Sequence, residues 1–184
     1  MLNAVGREIP QEVLEKTGKA VFQGTYHFDQ YEYNKAPVKS RTRIGGSDTK
    51  IQNSIKETLQ KCGAHDGMTI SFHHHFREGD LVVMQVMNTI HELGYKDITI
   101  CASSLSKAQD DLVPMIEDGT VTHIETSGVR GKIGEAISQG KLKGIAVLRS
   151  HGGRVRAIET GETKIDIAFI GAPSCDEYGN CRGF

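Results

Sequence analysis

The chain has 184 residues, enough for one domain with its own core; 38% are hydrophobic and 24% charged, the balance of a folded globular protein. A formal net charge of −1, no Trp and 6% aromatics give neither a basic field for nucleic acid nor a platform for stacked bases. No run approaches the roughly 18 apolar residues of a membrane span, and the N-terminal MLNAVGREIPQEV lacks the apolar centre of a signal peptide, so the expected compartment is the cytoplasm.

Residues 1–46 read as an extended arm wrapping the domain, with one short helix that starts at Pro10, whose fixed φ suits a first helical position. Lys39, Arg41 and Arg43 read as a solvated face. Residues 47–184 read as one α/β domain. Ser47 or Asp48 can cap a helix running to about Lys61, with Ile51, Ile55, Thr58 and Leu59 on its apolar face and Gly63 at its end. Met68 to Phe72 is a short buried strand. Asp80 caps a helix from Leu81 to Leu93, where Val83, Val86, Met87 and Ile90 recur at helical spacing, and Gly94 closes it. Ile98 to Ala102 is a second strand. A helix near Lys107 to Glu117 contains Pro114, which must begin, kink or shorten it. Val121 to Glu125, Gly144 to Leu148 and Ile165 to Ile170 are three further strands, with helices expected from Lys132 to Gln139 and after Ser150. This alternation predicts βαβ units: an open, mostly parallel sheet with helices on both faces and right-handed crossovers.

In open α/β sheets ligands bind beyond the carboxyl ends of the strands. Three polar junctions lie there. The first holds His73, His74, His75 and Phe76. It reads as hydrogen-bonded loop histidines, as a zinc pair of His73 and His75 for which no third ligand is evident, or as a substrate loop. In that last reading backbone N–H groups stabilise a developing negative oxygen. The second, Gly128-Val-Arg-Gly-Lys-Ile-Gly134, misses the G-x-G-x-x-G dinucleotide spacing by one residue. It is either a tight turn or an anion cradle assisted by Arg130 and Lys132. The third gathers Arg149, His151, Arg154 and Arg156 around a flexible Gly152-Gly153 turn, as a solvated helix face or a carboxylate site.

No metal site is expected. The four cysteines lack C-x-x-C spacing; Cys101 reads as a small core residue. Cys175 and Cys181 flank the Asp176-Glu-Tyr-Gly-Asn180 turn, and pairing or metal binding is the minor reading for thiols kept reduced. Asp176 and Glu177 are adjacent in sequence and do not read as a catalytic pair.

The run GMTISFHHHFREGD, with TSGVRGKIGEAISQG, RSHGGRVRAI and KIDIAFIGAP, closely resembles the α subunit of bacterial citrate lyase, a citrate CoA-transferase of the CoA-transferase superfamily. The resemblance extends from about Gly24 to the last residue and covers the first of two related α/β halves; the second half is absent. It implies the superfamily's α/β fold. It also implies acyl exchange, in which acetyl-[acyl-carrier protein] and citrate give citryl-[acyl-carrier protein] and acetate. Its glycine-rich oxyanion loop is replaced here by HHHF, which gives side-chain donors more weight in the His73–Phe76 loop. Arg130, Lys132, Arg149, His151, Gly152, Gly153 and Arg154 are the expected substrate-binding residues. The implied partners are a β (lyase) subunit and a γ (acyl-carrier) subunit in an oligomeric complex. The carrier brings a CoA-like prosthetic group, and this chain holds no cofactor covalently. On its own the chain is expected to be inactive. The alternatives are a non-catalytic fragment that binds a CoA-like group or partner subunits, and a related acetate CoA-transferase or acyl-CoA hydrolase.

Overall fold

A computed structural model describes residues 1–23, 49–73 and 80–182. The basic cluster at Lys39, Arg41 and Arg43, the expected boundary at residue 46, and His74, His75 and Phe76 lie outside the described residues. The chain divides into two compact units, residues 1–35 and 36–184.

In the first unit, helix α1 (Gln11–Thr17) begins directly after Pro10, as its locked φ favours. It ends at Gly18, whose left-handed φ of 60° lets its N–H reach the Leu14 carbonyl. A single antiparallel bridge joins Leu2 and Glu8.

The second unit is built on five parallel strands: β1 (Thr69–His73), β2 (Ile98–Ala102), β3 (Val121–Thr126), β4 (Ala146–Leu148) and β5 (Ile167–Ile170). Their spatial order is β4-β3-β2-β1-β5. The chain steps outward from β1 to β4, then returns over three strands to pair β5 with the free side of β1. Helices α3 (Val82–Glu92), α4 (Val113–Glu117) and α5 (Gly131–Ser138) lie in the outward crossovers, and α6 (His151–Glu159) lies in the return. Right-handed crossovers running in opposite directions put α6 on the opposite face from the others.

The two faces differ in chemistry because side chains alternate along each strand. Ile70, Phe72, Ile100 and Ile124 point to one side and join Val83, Val86, Met87 and Ile90 of α3, Ile116 of α4 and Ile133 of α5 in a single apolar cluster. Ser71, Cys101 and Glu125, which are neighbours in register, point to the other side, under α6. The apolar layer carries the core; the α6 side is polar. Among the described residues no helix is long and apolar enough to cross a membrane.

Several elements depart from expectation. The helix before β1 is α2 (Ile55–Lys61), with Ser54 rather than Ser47 or Asp48 as its cap; the Ser54 hydroxyl accepts the Glu57 N–H. Ile51 therefore lies outside the helix and is exposed rather than on its apolar face. Ser54 prevails because its side chain satisfies an end N–H group that would otherwise lack a partner. The cap position of α3 falls on Leu81 rather than Asp80, although Asp80 Oδ1 accepts the Val82 N–H from one residue further out, and Gly94 follows that helix at φ 80°. The segment around Pro114 splits into a 3-10 turn (Lys107–Leu112) and α4, with proline in the first turn, where its missing N–H costs nothing. Beyond β5 a small antiparallel hairpin forms from β6 (Ser174–Cys175) and β7 (Cys181–Arg182).

Candidate functional site at the carboxyl rim

Because the five strands are parallel, their carboxyl ends share one edge; His73 and the second and third polar junctions lie along it. The strand order reverses between β1 and β5: one connection leaves β1 toward β2, while β5 receives its chain from β4. That reversal is the switch point at which a crevice opens in sheets of this kind. His73 closes β1 at that point and is paired in register with Ile170 of β5.

Arg154 ties the opposite face of the sheet to this corner. It sits in the middle of α6 and is 8% exposed. Its Nη2 donates to Ser71 Oγ at 2.8 Å and to the Cys101 carbonyl at 3.2 Å, and its Nη1 donates to His73 Nδ1 at 2.9 Å. Guanidinium has no acceptor, so Nδ1 of His73 must accept, and the imidazole carries its proton on Nε2. Arg154 Nε is buried without a hydrogen-bond partner, and no carboxylate among the described residues lies within ion-pair distance of Arg154. A buried cation whose neighbours are a hydroxyl, a carbonyl and a neutral ring carries a desolvation cost that a carboxylate would offset. The Cys101 thiol beside it is pushed up from its ordinary pKa by burial, against the pull of the Arg154 charge. It is buried as expected, but on the polar face rather than in the apolar cluster.

The third junction is used internally. Arg149 pairs with Glu125 at 3.4 Å and Glu162 at 3.1 Å, and Arg156 pairs with Glu162 at 2.9 Å. Thr163 Oγ1 donates to the same Glu125 oxygen at 2.6 Å. This network straps both ends of α6 to β3, and the Arg149 side chain is only 13% exposed within it. His151, Gly152 and Gly153 form the first turn of α6, with the Gly153 N–H capped by Ser150 Oγ at 3.0 Å. The expected flexible glycine turn is thus helix, because Ser150 supplies the cap.

The second junction also holds its own anion. Asp110 Oδ1 accepts the Lys132 N–H at 2.8 Å, occupying a first-turn amide of α5. Gly131 stands at φ 69°, and a Cβ there would collide with the Asp110 carboxylate. The geometry favours the tight-turn reading. Arg130 and Lys132 are exposed there, and α5 packs against the 3-10 turn and α4, away from α6.

The structure therefore joins Arg154 and His73, and gives Arg149, Arg130 and Lys132 other surroundings. Ser71 and Cys101, which hold Arg154, are missing from the site residues expected from sequence, where Cys101 reads only as a core residue. The polar positions 69, 71 and 73 alternating with Ile70 and Phe72 are the signal that marks this strand as two-faced. Among the described residues no group of three or more His, Cys, Asp or Glu could hold a metal ion.

Residues 48–184 match the family model described as citrate lyase, alpha subunit (CitF). The citrate lyase alpha chain of Haemophilus influenzae is 45% identical over 159 residues, which is 86% of this chain and 32% of that one. The citrate lyase alpha chain of Escherichia coli is 44% identical over 156 residues, 85% of this chain and 31% of that one. A crystal structure assigned as an alpha subunit of citrate lyase in complex with citrate, from Streptococcus mutans, superposes with a TM-score of 0.85 at 45% identity. It covers 98% of this chain and 34% of its own. The chain thus spans about a third of the length of the relatives it matches.

Proposed function

The chain belongs to the citrate lyase alpha-subunit family, and from that premise we propose that its β1/β5 corner receives a carboxylate of citrate during acyl exchange. The observation that carries the reading is Arg154, a buried cation beside His73 with an orphaned Nε and no carboxylate partner among the described residues. Citrate bears nearly three negative charges at neutral pH, and a carboxylate matches a guanidinium in charge and shape. The similar Streptococcus mutans structure was solved with citrate.

The exchange proposed for the full-length protein is that of a citrate CoA-transferase, acetyl-[acyl-carrier protein] plus citrate giving citryl-[acyl-carrier protein] plus acetate. A citrate carboxylate attacks the acetyl thioester carbonyl and expels the carrier thiolate, leaving a mixed anhydride. The thiolate then attacks the citryl carbonyl and acetate departs. Both steps build negative charge on oxygen, which fixed donors stabilise. The His73–Phe76 loop, entering α3, is the proposed source of those donors. Partners in this reading are the β lyase subunit and the γ carrier subunit with its CoA-like arm, in the cytoplasm. The remaining two thirds of the family's length supply the rest of the site, so this chain alone is inactive.

Calorimetric titration with citrate tests the corner. Binding by the native chain, weakened at least about tenfold (1.4 kcal/mol) in Arg154→Met, supports it; equal binding by the variant overturns it. Thioester exchange, assayed on the chain alone and with the rest of the family's length added, tests the reaction. If the reconstituted pair binds citrate and transfers nothing, the transferase reading falls and a binding fragment remains.

A further inference from the structure

The geometry points to Cys175 and Cys181 as a reversible dithiol–disulfide pair that fastens the hairpin carrying the Asp176 turn. The two residues sit directly opposite one another in the β6–β7 ladder. The neighbouring bond, Asp176 N–H to the Asn180 carbonyl at 3.0 Å, fixes which kind of pair they form. In an antiparallel ladder a bond between the next residues inward means that the cysteines exchange none themselves. Such non-hydrogen-bonded pairs bring Cα atoms to about 4.5 Å and their side chains closest together. A disulfide takes Cα separations of about 4.4–6.8 Å, so the pair falls at the short end of the permitted range. A bridge formed there is exposed, hence easier to reduce than a buried structural one.

Both thiols are free and exposed, as are all residues from 171 to 182. They border an open cavity of about 350 Å³ with Ser174, Asp176, Asn180 and Arg182, so a small oxidant has access. A metal is the poorer occupant. Asp176, the nearest carboxylate, is committed to the Tyr178 and Asn180 N–H groups and the Asn180 side-chain amide.

The pairing has a structural effect. The hairpin ladder has only two residue pairs, and an isolated two-stranded hairpin is marginal in water. The Asp176 side chain organises the turn from within, and the Glu177 carbonyl ties it to the Lys50 N–H at 2.7 Å. A covalent link across the base would hold the turn closed under oxidising conditions and release it under reducing ones. The step is a two-electron exchange with an oxidised low-molecular-weight disulfide. One thiolate attacks that disulfide and expels a thiol; the second thiolate attacks the mixed disulfide and expels the other. Two protein thiols become one disulfide, and the small disulfide becomes two thiols.

Incubation of the chain with glutathione disulfide, followed by digestion and mass spectrometry, tests the inference. The expected product is a Cys175–Cys181 link lacking two hydrogens, reversed by reduced glutathione, while exposed Cys62 stops at the glutathionyl adduct. In Cys175→Ser and Cys181→Ser the remaining hairpin thiol stops at the adduct too, and far-UV circular dichroism reports that the fold persists. Glutathione carried separately by both hairpin cysteines overturns the inference. So does linkage to Cys62 or between chains, or a link that resists excess reduced glutathione.

Discussion

Arg154 and His73 lie 81 residues apart in the chain and share one hydrogen bond of 2.9 Å, in which a buried guanidinium donates to a ring nitrogen at the end of β1. The guanidinium also satisfies Ser71 and the Cys101 carbonyl, so side-chain size and charge can be separated by substitution. Arg154→Met keeps most of the volume and loses the donors, at an expected cost of about 1–3 kcal/mol, lessened by the desolvation relieved when the buried charge is removed. Arg154→Ala adds a cavity and costs at least about 1 kcal/mol more. Urea denaturation of both variants measures the difference. Equal midpoints for Met and Ala would show that α6 collapses onto the strands when the side chain is cut back.

Gly144 lets two elements approach closely. A Cβ there would run into the His123 ring and lie 2.6 Å from the Thr122 carbonyl oxygen. One of these obstacles is backbone and cannot swing aside. Gly144→Ala is expected to destabilise the domain by about 1–3 kcal/mol through overpacking. Gly140→Ala, where nothing stands within 4 Å but φ is 74°, tests conformational strain alone and is expected to cost about 1–2 kcal/mol. Thermal unfolding ranks the two.

Ser54 caps a helix of only seven residues. Ser54→Ala leaves the Glu57 N–H without its acceptor and is expected to cost about 1 kcal/mol, whereas Ser54→Asp retains the cap. Hydrogen exchange at the amides of α2 would rise in the alanine variant alone. Unchanged protection would mean that packing of Leu59 in the core, rather than the cap, holds the helix.

Asp118 gives the domain an acid-sensitive contact. Burial pushes its carboxyl up, but hydrogen bonds from Lys96, Thr120 and His91 outweigh that and hold it well below the usual aspartate range. A carboxylate with a depressed native pKa contributes stability above its unfolded value, about 3.9, and loses it as pH falls toward the native value. The side chain is 36% exposed, so the contribution is no more than about 1 kcal/mol. The stability difference between native protein and Asp118→Asn should therefore be flat at neutral pH and shrink below about pH 4. A difference that grows on acidification would contradict the assignment.

The sheet and its outward helices were legible in the sequence because the strands carry apolar residues and the crossovers through α3 and α5 carry an apolar row at helical spacing. Val83, Val86, Met87 and Ile90 announce α3, and all four are buried in the cluster. One local error has a clear cause. Ser54 caps its helix through a side-chain bond that spacing alone does not rank above Ser47 or Asp48. The site was less legible. Arg149 and Arg154 are chemically alike and five positions apart, yet one is neutralised by Glu125 and Glu162 while the other has no carboxylate partner among the described residues. That distinction depends on which strands α6 crosses, a non-local matter that the run RSHGGR cannot encode by itself. Ser71 and Cys101 escaped for the same reason: their role arises from strand register.

The return crossover through α6 gives the sheet a division of labour. Residues that make the domain cohere lie under α3, α4 and α5, while the Arg154 guanidinium, the proposed partner of a carboxylate, reaches in from the far side. Distant substitutions in proteins add nearly independently. Drift in the apolar layer can therefore proceed without retuning recognition, and the corner can change specificity while the domain still folds.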